Sequence, residues 1–187
     1  MSAGPGRKLV LLRHAKSAWP DVPDHERPLA RRGRRNAPAM GRWMRAAGHL
    51  PDLVLCSTVR RAPETWQLVQ PGLGVSPPVY FDADIYETSA PRLLELIRRA
   101  PPAARTILAV GHDPAVPELA VTLAATHGGS VSIAPPAMFD RMRTKFPTAA
   151  IAVLEFTGTW NRLAPGSARL TCFVTPRELL APEGAHR

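Results

Sequence analysis

The sequence predicts a three-layer α/β fold in which helices flank a central, mostly parallel mixed sheet. Short apolar runs alternate with stretches of helical periodicity, and this alternation is typical of parallel sheets covered by helices. The chain has 187 residues, within the usual size of one soluble domain. No internal repeat or linker divides it. We therefore expect a single domain over residues 1–187, with a core at about residues 8–175 and loose ends at Met1–Arg7 and Pro182–Arg187.

The first half of the chain contains two predicted strands and two predicted helices. Brief apolar runs indicate the strands, and apolar residues spaced by three or four indicate the helices. The predicted elements are a strand at Lys8–Arg13, a helix at Ala30–Ala47, a strand at Asp52–Cys56, a helix at Arg60–Val69 and a Pro/Gly loop at Gln70–Pro78. We expect Gly48 to end the first helix and Ser57 or Thr58 to cap the second.

The second half of the chain continues the same alternation. Ser89 is the expected cap of a third helix, because Pro91 lies near its first turn and apolar residues follow at helical spacing. The remaining predicted elements are a strand at Thr106–Val110, a helix from Pro114 to about Thr126, a loop at His127–Pro136 and strands at Ala149–Phe156 and Leu170–Val174.

The composition excludes several classes of protein. The two cysteines, Cys56 and Cys172, are too few for a disulfide framework or a closed zinc site. Both lie in apolar runs, as expected for buried thiols in a reducing cytoplasm. The early apolar run Leu9–Leu12 is shorter than a signal-peptide core, and no apolar stretch reaches the roughly 18 residues of a membrane span. We therefore expect a cytoplasmic protein with no membrane partner.

The positive charge is concentrated in one part of the chain. The net charge is +9, and nine arginines but one acid lie between Arg27 and Arg61. Such a patch can attract an anionic partner. No nucleic-acid-binding motif accompanies it, so nucleic acid is not an expected partner. A solvated helix face is the simpler interpretation of six of these arginines, Arg31, Arg32, Arg34, Arg35, Arg42 and Arg45.

Polar residues follow three of the predicted strands at the point where each strand ends. They are Arg13 and His14 after the first strand, Ser57–Arg60 after the second, and Gly111 and His112 after the third. Ligands of open α/β sheets bind beyond the carboxyl ends of the strands. We therefore expect two histidines and two arginines to converge at one edge of the sheet.

These residue types favour phosphoryl transfer. Guanidinium groups match phosphate oxygens with paired donors, and a neutral imidazole can attack phosphorus and leave again. A second imidazole, if protonated, adds a donor to the charge that develops in the transition state. No carboxylate cluster or third histidine indicates a metal. The motifs of Ser–His–Asp hydrolases, P-loop proteins and dinucleotide-binding proteins are absent from the sequence.

Together these motifs resemble the histidine phosphatase superfamily. Leu12–Ala15 is similar to its Arg-His-Gly signature, with Ala15 in place of glycine. Ser57–Thr65 is similar to its Ser-x-x-x-Arg-Ala-x-x-Thr segment, and Val110–Pro114 to its second-histidine segment. The small size and His25–Gly33, which contains Arg-Pro-Leu, resemble the SixA-type phosphohistidine phosphatases. The resemblance covers about residues 8–175 and implies a phosphoglycerate mutase-like fold.

The resemblance also implies an activity and a set of site residues. It implies a phosphatase without cofactor or metal, whose expected substrate is a phosphohistidine-bearing protein. The alternatives are a small-molecule phosphomonoester phosphatase or mutase on the same scaffold, and a non-enzymatic phosphate- or nucleic-acid-binding protein. In this interpretation His14 is the nucleophile. Arg13, Arg60 and His112 form the phosphate pocket, with Arg27 as a further donor.

The remaining site residues are less specific matches. Glu87 is the nearest match to the carboxylate with which many relatives protonate the leaving group, and Asp84 is the alternative. Lys16 could add charge beside the pocket or lie on the surface, and Ser57 is a candidate substrate contact. We expect the alanine at position 15 to be tolerated, provided that the backbone there needs no positive φ.

Overall fold

One mixed sheet organises the part of the chain, residues 6–125 and 135–180, that the computed structural model describes. Its strands are β1 Gly6–Arg13, β2 Leu53–Ser57, β3 Val79–Asp82, β4 Thr106–Gly111, β5 Ile151–Thr157 and β6 Arg169–Val174. They lie in the spatial order β3-β2-β4-β1-β5-β6. β1 to β4 are mutually parallel, and β5 is antiparallel to both of its neighbours. The predicted α/β class with a mostly parallel, mixed sheet is confirmed.

Helices cover both faces of the sheet and complete the three layers. They are α1 Arg31–Ala46, α2 Arg61–Leu73, α3 Ala90–Arg98, α4 Ala115–Ala124, α5 Pro136–Thr144 and α6 Pro176–Leu180. Along β1, Leu9 and Leu11 join one core while Val10 and Leu12 join the other, because side chains alternate across a strand. The first core is closed by α3 and α4, and the second by α1 and α2.

The loop predicted at Gln70–Pro78 is wrong at its start, because α2 continues through Pro71 to Leu73. Leu73 is buried in the core, and Gly74 ends the helix with a φ of 71°. The reason is the tight packing of α2 against α1. A Cβ added at Gly72 would lie 2.7 Å from the backbone nitrogen of Arg42, so the two helices meet backbone to backbone. Packing here outweighs the low helix propensity of proline and glycine.

Gly41 lies at the same helix crossing, and its replacement tests how tightly the helices pack. An added Cβ would overlap the Val69 carbonyl oxygen, a backbone atom that cannot move aside alone. We expect Gly41→Ala to lower the free energy of unfolding by about 1–3 kcal/mol, despite the better helix propensity of alanine. Denaturant unfolding measures this effect. Gly6→Ala is the control, since its Cβ would meet open space. Equal stabilities of the two variants would contradict the close crossing.

Two elements have no clear sequence signal. β3 is a four-residue strand at the edge of the sheet, and its central residues Tyr80 and Phe81 are both exposed. It therefore lacks the alternating pattern that marks a half-buried strand. α5 buries only Met142, so its helical periodicity is weak. The predicted loop at His127–Pro136 lies almost entirely outside the described residues, and Pro136 begins α5.

The predicted loose start at Met1–Arg7 is wrong at its end, because β1 begins at Gly6 and continues through Arg7. The Arg7 guanidinium group is buried and donates to the carbonyl oxygens of Gly158, Pro102 and Ala104. Residues 1–5 and 181–187 lie outside the described part of the chain. Both cysteines are free thiols, with Cys56 buried and Cys172 half-buried. Within the described ranges, no helix is long and apolar enough to cross a membrane.

Candidate active site

Two histidines meet at the carboxyl edge of the sheet. His14 directly follows β1, and His112 directly follows β4, the strand paired with β1. The His14 N–H donates to the Gly111 carbonyl oxygen at 2.9 Å, so the backbone holds the two strand ends together. The imidazole centroids lie 5.0 Å apart at 50°. Residues almost a hundred positions apart are thus neighbours, because adjacent parallel strands end at one edge.

His14 is a buried, neutral imidazole with a defined tautomer. Its Nδ1 lies 2.8 Å from the Ala15 carbonyl oxygen, which can only accept, so Nδ1 carries the proton and Nε2 the lone pair. The pKa of His14 is lowered to about 4, mainly by burial and also by the charges of Arg61, Arg13 and Arg27, while the hydrogen bond to Ala15 opposes this shift. His14 can therefore act as a nucleophile at neutral pH.

Ala15 fits its position without strain. Its φ lies outside the left-handed region, so the expectation that alanine is tolerated in place of glycine is confirmed. Ala15 is fully buried, and its N–H donates to the Thr65 hydroxyl at 2.9 Å. The Thr65 hydroxyl in turn donates to the Arg61 carbonyl oxygen at 2.6 Å. Thr65 thus ties the loop that follows β1 to the first turn of α2.

His112 is fixed by Ser57 and Tyr86. The Ser57 hydroxyl lies 2.8 Å from His112 Nε2, and the Tyr86 ring meets the imidazole edge-on at 5.4 Å between centroids. Burial, His14 and Arg61 together lower the pKa of His112 to about 3, so this ring is also neutral at pH 7. His112 Nδ1 is buried without a hydrogen-bond partner among the described residues.

The predicted helix cap at Ser57 or Thr58 is wrong. Ser57 ends β2 and is fully buried, and its hydroxyl accepts the Val59 N–H at 3.3 Å in addition to contacting His112. The residue that precedes α2 is Arg60, and its side chain makes no capping hydrogen bond. Ser57 is therefore a buried hydrogen-bond partner of His112.

The structure corrects the predicted position of Arg60. Its side chain is exposed, its Nε donates to Glu64 at 2.8 Å, and its Nη1 donates to the Glu26 carbonyl oxygen at 3.3 Å. Arg61 is buried, and its charge is one that lowers the pKa of both His14 and His112. A signal for this existed in the sequence. The Ser-x-x-x-Arg spacing counted from Ser57 reaches Arg61.

Arg13 and Arg27 are the other two arginines whose charges act on His14. Arg13 Nη1 donates to the Phe146 carbonyl oxygen at 2.7 Å and pairs with Asp113 at 2.9 Å. Its Nε is buried without a partner among the described residues. Arg27 is buried and donates to the Ser17 hydroxyl at 2.8 Å. Arg13, Arg27 and Arg61 thus bring three permanent positive charges close enough to act on His14.

Asp24 holds two of these arginines together and was not predicted. Its carboxylate accepts from Arg27 Nη1 at 2.8 Å, from Arg61 Nη2 at 2.9 Å and from the Tyr86 hydroxyl at 2.7 Å. The hydrogen bonds from Tyr86, Arg27 and Arg61 hold the pKa of Asp24 well below its usual value, so it is ionised at pH 7. The bond to Asp24, with smaller effects of burial and Glu87, raises the pKa of Tyr86 to about 12.

The other predicted residues lie at the margin of this cluster or outside it. Glu87 is exposed beside Tyr86 and has a φ of 50°. Asp84 is exposed and pairs with Arg92 at 2.8 Å, so its carboxylate is engaged on the surface. Lys16 is exposed. Over residues 6–125 and 135–180, no group of three or more His, Cys, Asp or Glu side chains is arranged to hold a metal ion.

The remaining arginines of the basic stretch divide into paired and unpaired ones. Arg34 joins Arg60 on the carboxylate of Glu64, at 3.1 Å. The other members of the predicted solvated helix face are exposed, and none has an ion pair among the described residues. They are Arg31, Arg32, Arg35, Arg42 and Arg45.

The protonation of the two histidines gives a pH prediction. Both folded pKa values lie below the ordinary 6.5, so we expect neither ring to titrate between about pH 5 and pH 8. Their contribution to stability is complete above the unfolded pKa of about 6.5 and is lost as the pH falls toward about 4 for His14 and about 3 for His112. Histidine NMR signals measured against pH, assigned with single-residue variants, test this. A midpoint near 6.5 for His14 would contradict the buried neutral imidazole.

Comparison with known proteins identifies relatives of the whole described fold. The model of the histidine phosphatase superfamily (branch 1) matches residues 9–118. An uncharacterized protein of Mycobacterium tuberculosis is 40% identical over 167 residues, which span 89% of this chain and all of that protein. A SixA phosphohistidine phosphatase candidate from Nakamurella multipartitia is 32% identical with a TM-score of 0.77, over 94% of this chain and 99% of that one. Its counterpart from Agrobacterium tumefaciens is 26% identical with a TM-score of 0.71, over 91% and 99%. The resemblance to SixA-type histidine phosphatases is thereby confirmed.

Proposed function

Because the chain belongs to the histidine phosphatase superfamily, we propose that it is a phosphohistidine phosphatase acting on proteins through a covalent phosphohistidine at His14. Membership in this superfamily supports phosphatase activity. The observation that carries the proposal is the neutral His14 imidazole, whose Nε2 lone pair is left available while three guanidinium groups act on the ring. A tetrahedral anion bound by these groups is within reach of a nucleophile that needs no further activation.

The chemistry divides into two transfers. In the first, His14 Nε2 attacks phosphorus, the P–N bond to the substrate imidazole breaks, and that imidazole leaves with its other ring nitrogen protonated. In the second, water attacks phospho-His14, the new P–N bond breaks, and inorganic phosphate and neutral His14 result. Each in-line displacement develops charge on the equatorial oxygens, and positioned donors stabilise that charge.

The proposed donors are Arg13, Arg27, Arg61 and His112. Arg13 Nε and His112 Nδ1 support this role, because both are buried polar atoms without a partner among the described residues. A phosphoryl oxygen could satisfy each of them. Asp24 is a proposed positioning residue, since it holds Arg27 and Arg61 in fixed orientations and offers the phosphate only repulsion.

The proton donor has a smaller part in this proposal. The histidine of a phosphohistidine substrate leaves as a neutral imidazole when its other ring nitrogen is already protonated. No group of the enzyme then has to supply a proton to the leaving group. Glu87 remains the proposed carboxylate for substrates whose leaving group is an alkoxide, because it is exposed beside Tyr86 at the cluster. Asp84 is less suited, because it is paired with Arg92.

Ser57 is a proposed positioning residue for His112, and its replacement gives a testable result. In Ser57→Ala, His112 Nε2 loses its partner in a fully buried site, so the ring should lose its fixed orientation. We expect kcat to fall by about tenfold with little change in KM, because the donor acts mainly in the transition state. Steady-state kinetics measure both constants. Ser167→Ala is the matched control, since the Ser167 hydroxyl bonds only to nearby Ala164. Ser167 precedes β6 and lies at the end of the sheet opposite the two imidazoles. Equal kinetics in both variants would contradict the role of Ser57.

The choice of substrate is tested by comparing leaving groups. We expect kcat/KM to be at least about a hundredfold higher for a histidine-phosphorylated protein than for sugar or glycerate phosphates, because the pocket supplies no firmly placed acid. Release of inorganic phosphate is measured for each substrate at matched concentration. A preference for sugar or glycerate phosphates would support a small-molecule phosphatase or mutase on this scaffold.

A further inference from the structure

An exposed tryptophan stands beside the proposed phosphate pocket. The Trp19 side chain is 76% exposed, the highest value among the exposed large hydrophobic side chains of the described residues. The guanidinium carbon of Arg27 lies 3.2 Å from the centroid of the Trp19 ring, so one face of the ring packs on a pocket arginine. The rest of the ring faces solvent. Tryptophan contributes a large contact area where it binds a partner, so a ring exposed at the border of a site is a candidate contact residue.

The segment that carries Trp19 is held in place at its base. Ser17 and Leu29 form an antiparallel bridge, and the Ala18 N–H donates to the Pro28 carbonyl oxygen at 2.9 Å. Residues 19–22 form the tip, which we call the lip, and the Val22 side chain there is 39% exposed. Pro20 lies inside the lip and restricts its backbone. An aromatic residue on a restrained backbone loses little entropy when it binds, so the lip is preorganised for contact.

We propose that the lip docks the polypeptide around the phosphorylated residue of an acidic protein substrate. This inference rests on the proposed function and adds the surface that recognises the protein part of the substrate. The lip is continuous with the pocket through Arg27, so a protein whose phosphoryl group enters the pocket meets Trp19. Arg31, Arg32 and Arg35 follow in α1, exposed and without ion pairs among the described residues, which matches an acidic partner.

Two substrates with the same phosphorus chemistry separate docking from catalysis. One is free phosphohistidine, and the other is an acidic helical domain phosphorylated on one surface histidine with phosphoramidate. The variants are Trp19→Ala and Val22→Asp. Val22→Asp puts a negative charge on the lip while it leaves the stack of Trp19 on Arg27 in place. Leu50→Asp is the matched control, because Leu50 is 38% exposed and precedes β2, at the opposite edge of the sheet.

We expect both lip variants to lower kcat/KM for the phosphorylated domain by about tenfold or more, mainly through KM. For free phosphohistidine we expect changes of less than about threefold, and for Leu50→Asp no selective loss on either substrate. If the lip variants turned over the phosphorylated domain as fast as the wild-type protein, this inference would be overturned and the proposed function would stand. Equal losses on both substrates would have the same consequence. A wild-type protein that hydrolyses neither substrate would overturn the proposed function and this inference together.

Discussion

Replacing His14 with alanine is expected to lower turnover by at least about 10⁴-fold, because the variant lacks the group that accepts the phosphoryl moiety. The other imidazole of the cluster cannot take over this role in its present position, since His112 Nε2 is engaged by Ser57. Release of inorganic phosphate from a histidine-phosphorylated protein measures the loss. A fall of this size in kcat without an increase in KM would show that the reaction has lost its chemical step rather than its binding.

A second buried histidine provides the control for this variant. His49 is also buried, but it precedes β2 and therefore lies at the opposite edge of the sheet, beside Trp43. His49→Gln should retain most of the turnover, because it disturbs a buried imidazole without touching the pocket. If His14→Ala kept more than about a tenth of the wild-type rate, another nucleophile would have to be sought.

The two adjacent arginines at the start of α2, Arg60 before it and Arg61 in it, give the second large effect. Arg61→Ala is expected to lower kcat/KM by about 10²–10³-fold, the typical cost of losing one transition-state donor. Arg61→Lys should recover little of it, because an ammonium group cannot make the two bonds to Asp24 that the guanidinium group makes. The comparison variant is Arg60→Ala, whose side chain is exposed and paired with Glu64. We expect it to change kcat/KM by less than about threefold.

Comparing Arg61→Ala with Arg60→Ala shows whether activity depends on the position of one guanidinium group or only on the net charge. Both remove one guanidinium group from neighbouring positions, so a general effect of net charge would lower the two activities equally. A larger loss in Arg60→Ala than in Arg61→Ala would contradict the pocket described above. Thermal unfolding of both variants shows whether Arg61, which is buried, also has a structural role.

The strands other than β3 and the positions of the two histidines could be predicted because their signals are local. β1 and β4 are continuous apolar runs, and His14 and His112 directly follow them. Parallel pairing then brings the strand ends together without any further information. Recognising an apolar run as a buried parallel strand, and knowing its last residue, is therefore enough to locate the two imidazoles.

Arg60 was predicted to be the inward-facing arginine, but its neighbour Arg61 is the buried one. Helical geometry decides which of two neighbouring side chains faces inward. Successive residues at the start of α2 point about 100° apart, so Arg60 reaches solvent while Arg61 is buried. The predicted end of α2 at Val69 was also wrong, because packing in the folded chain decides where this helix ends. Gly41 and Gly72 allow α1 and α2 to meet closely, and that packing carries the helix past Pro71.

Asp24 and Tyr86 could not be predicted, because their roles depend on contacts between distant loops. The Tyr86 hydroxyl reaches Asp24 across 62 positions in sequence, and Asp24 reaches Arg61 across 37. In the sequence alone, an isolated aspartate three residues before an arginine looks like an ordinary pair of surface charges. Only the folded chain brings this carboxylate between two pocket guanidinium groups, where it fixes their orientation.

The central claim is that phosphate passes through a covalent bond to His14 Nε2. The most direct test is to mix the wild-type protein with a labelled histidine-phosphorylated substrate, quench at high pH, where phosphohistidine survives, and map the label by peptide mass spectrometry. We expect an acid-labile phosphoryl group on the peptide that contains His14, present transiently and absent from His14→Ala. Label on another residue, or efficient turnover with no labelled enzyme at any time point, would contradict the claim.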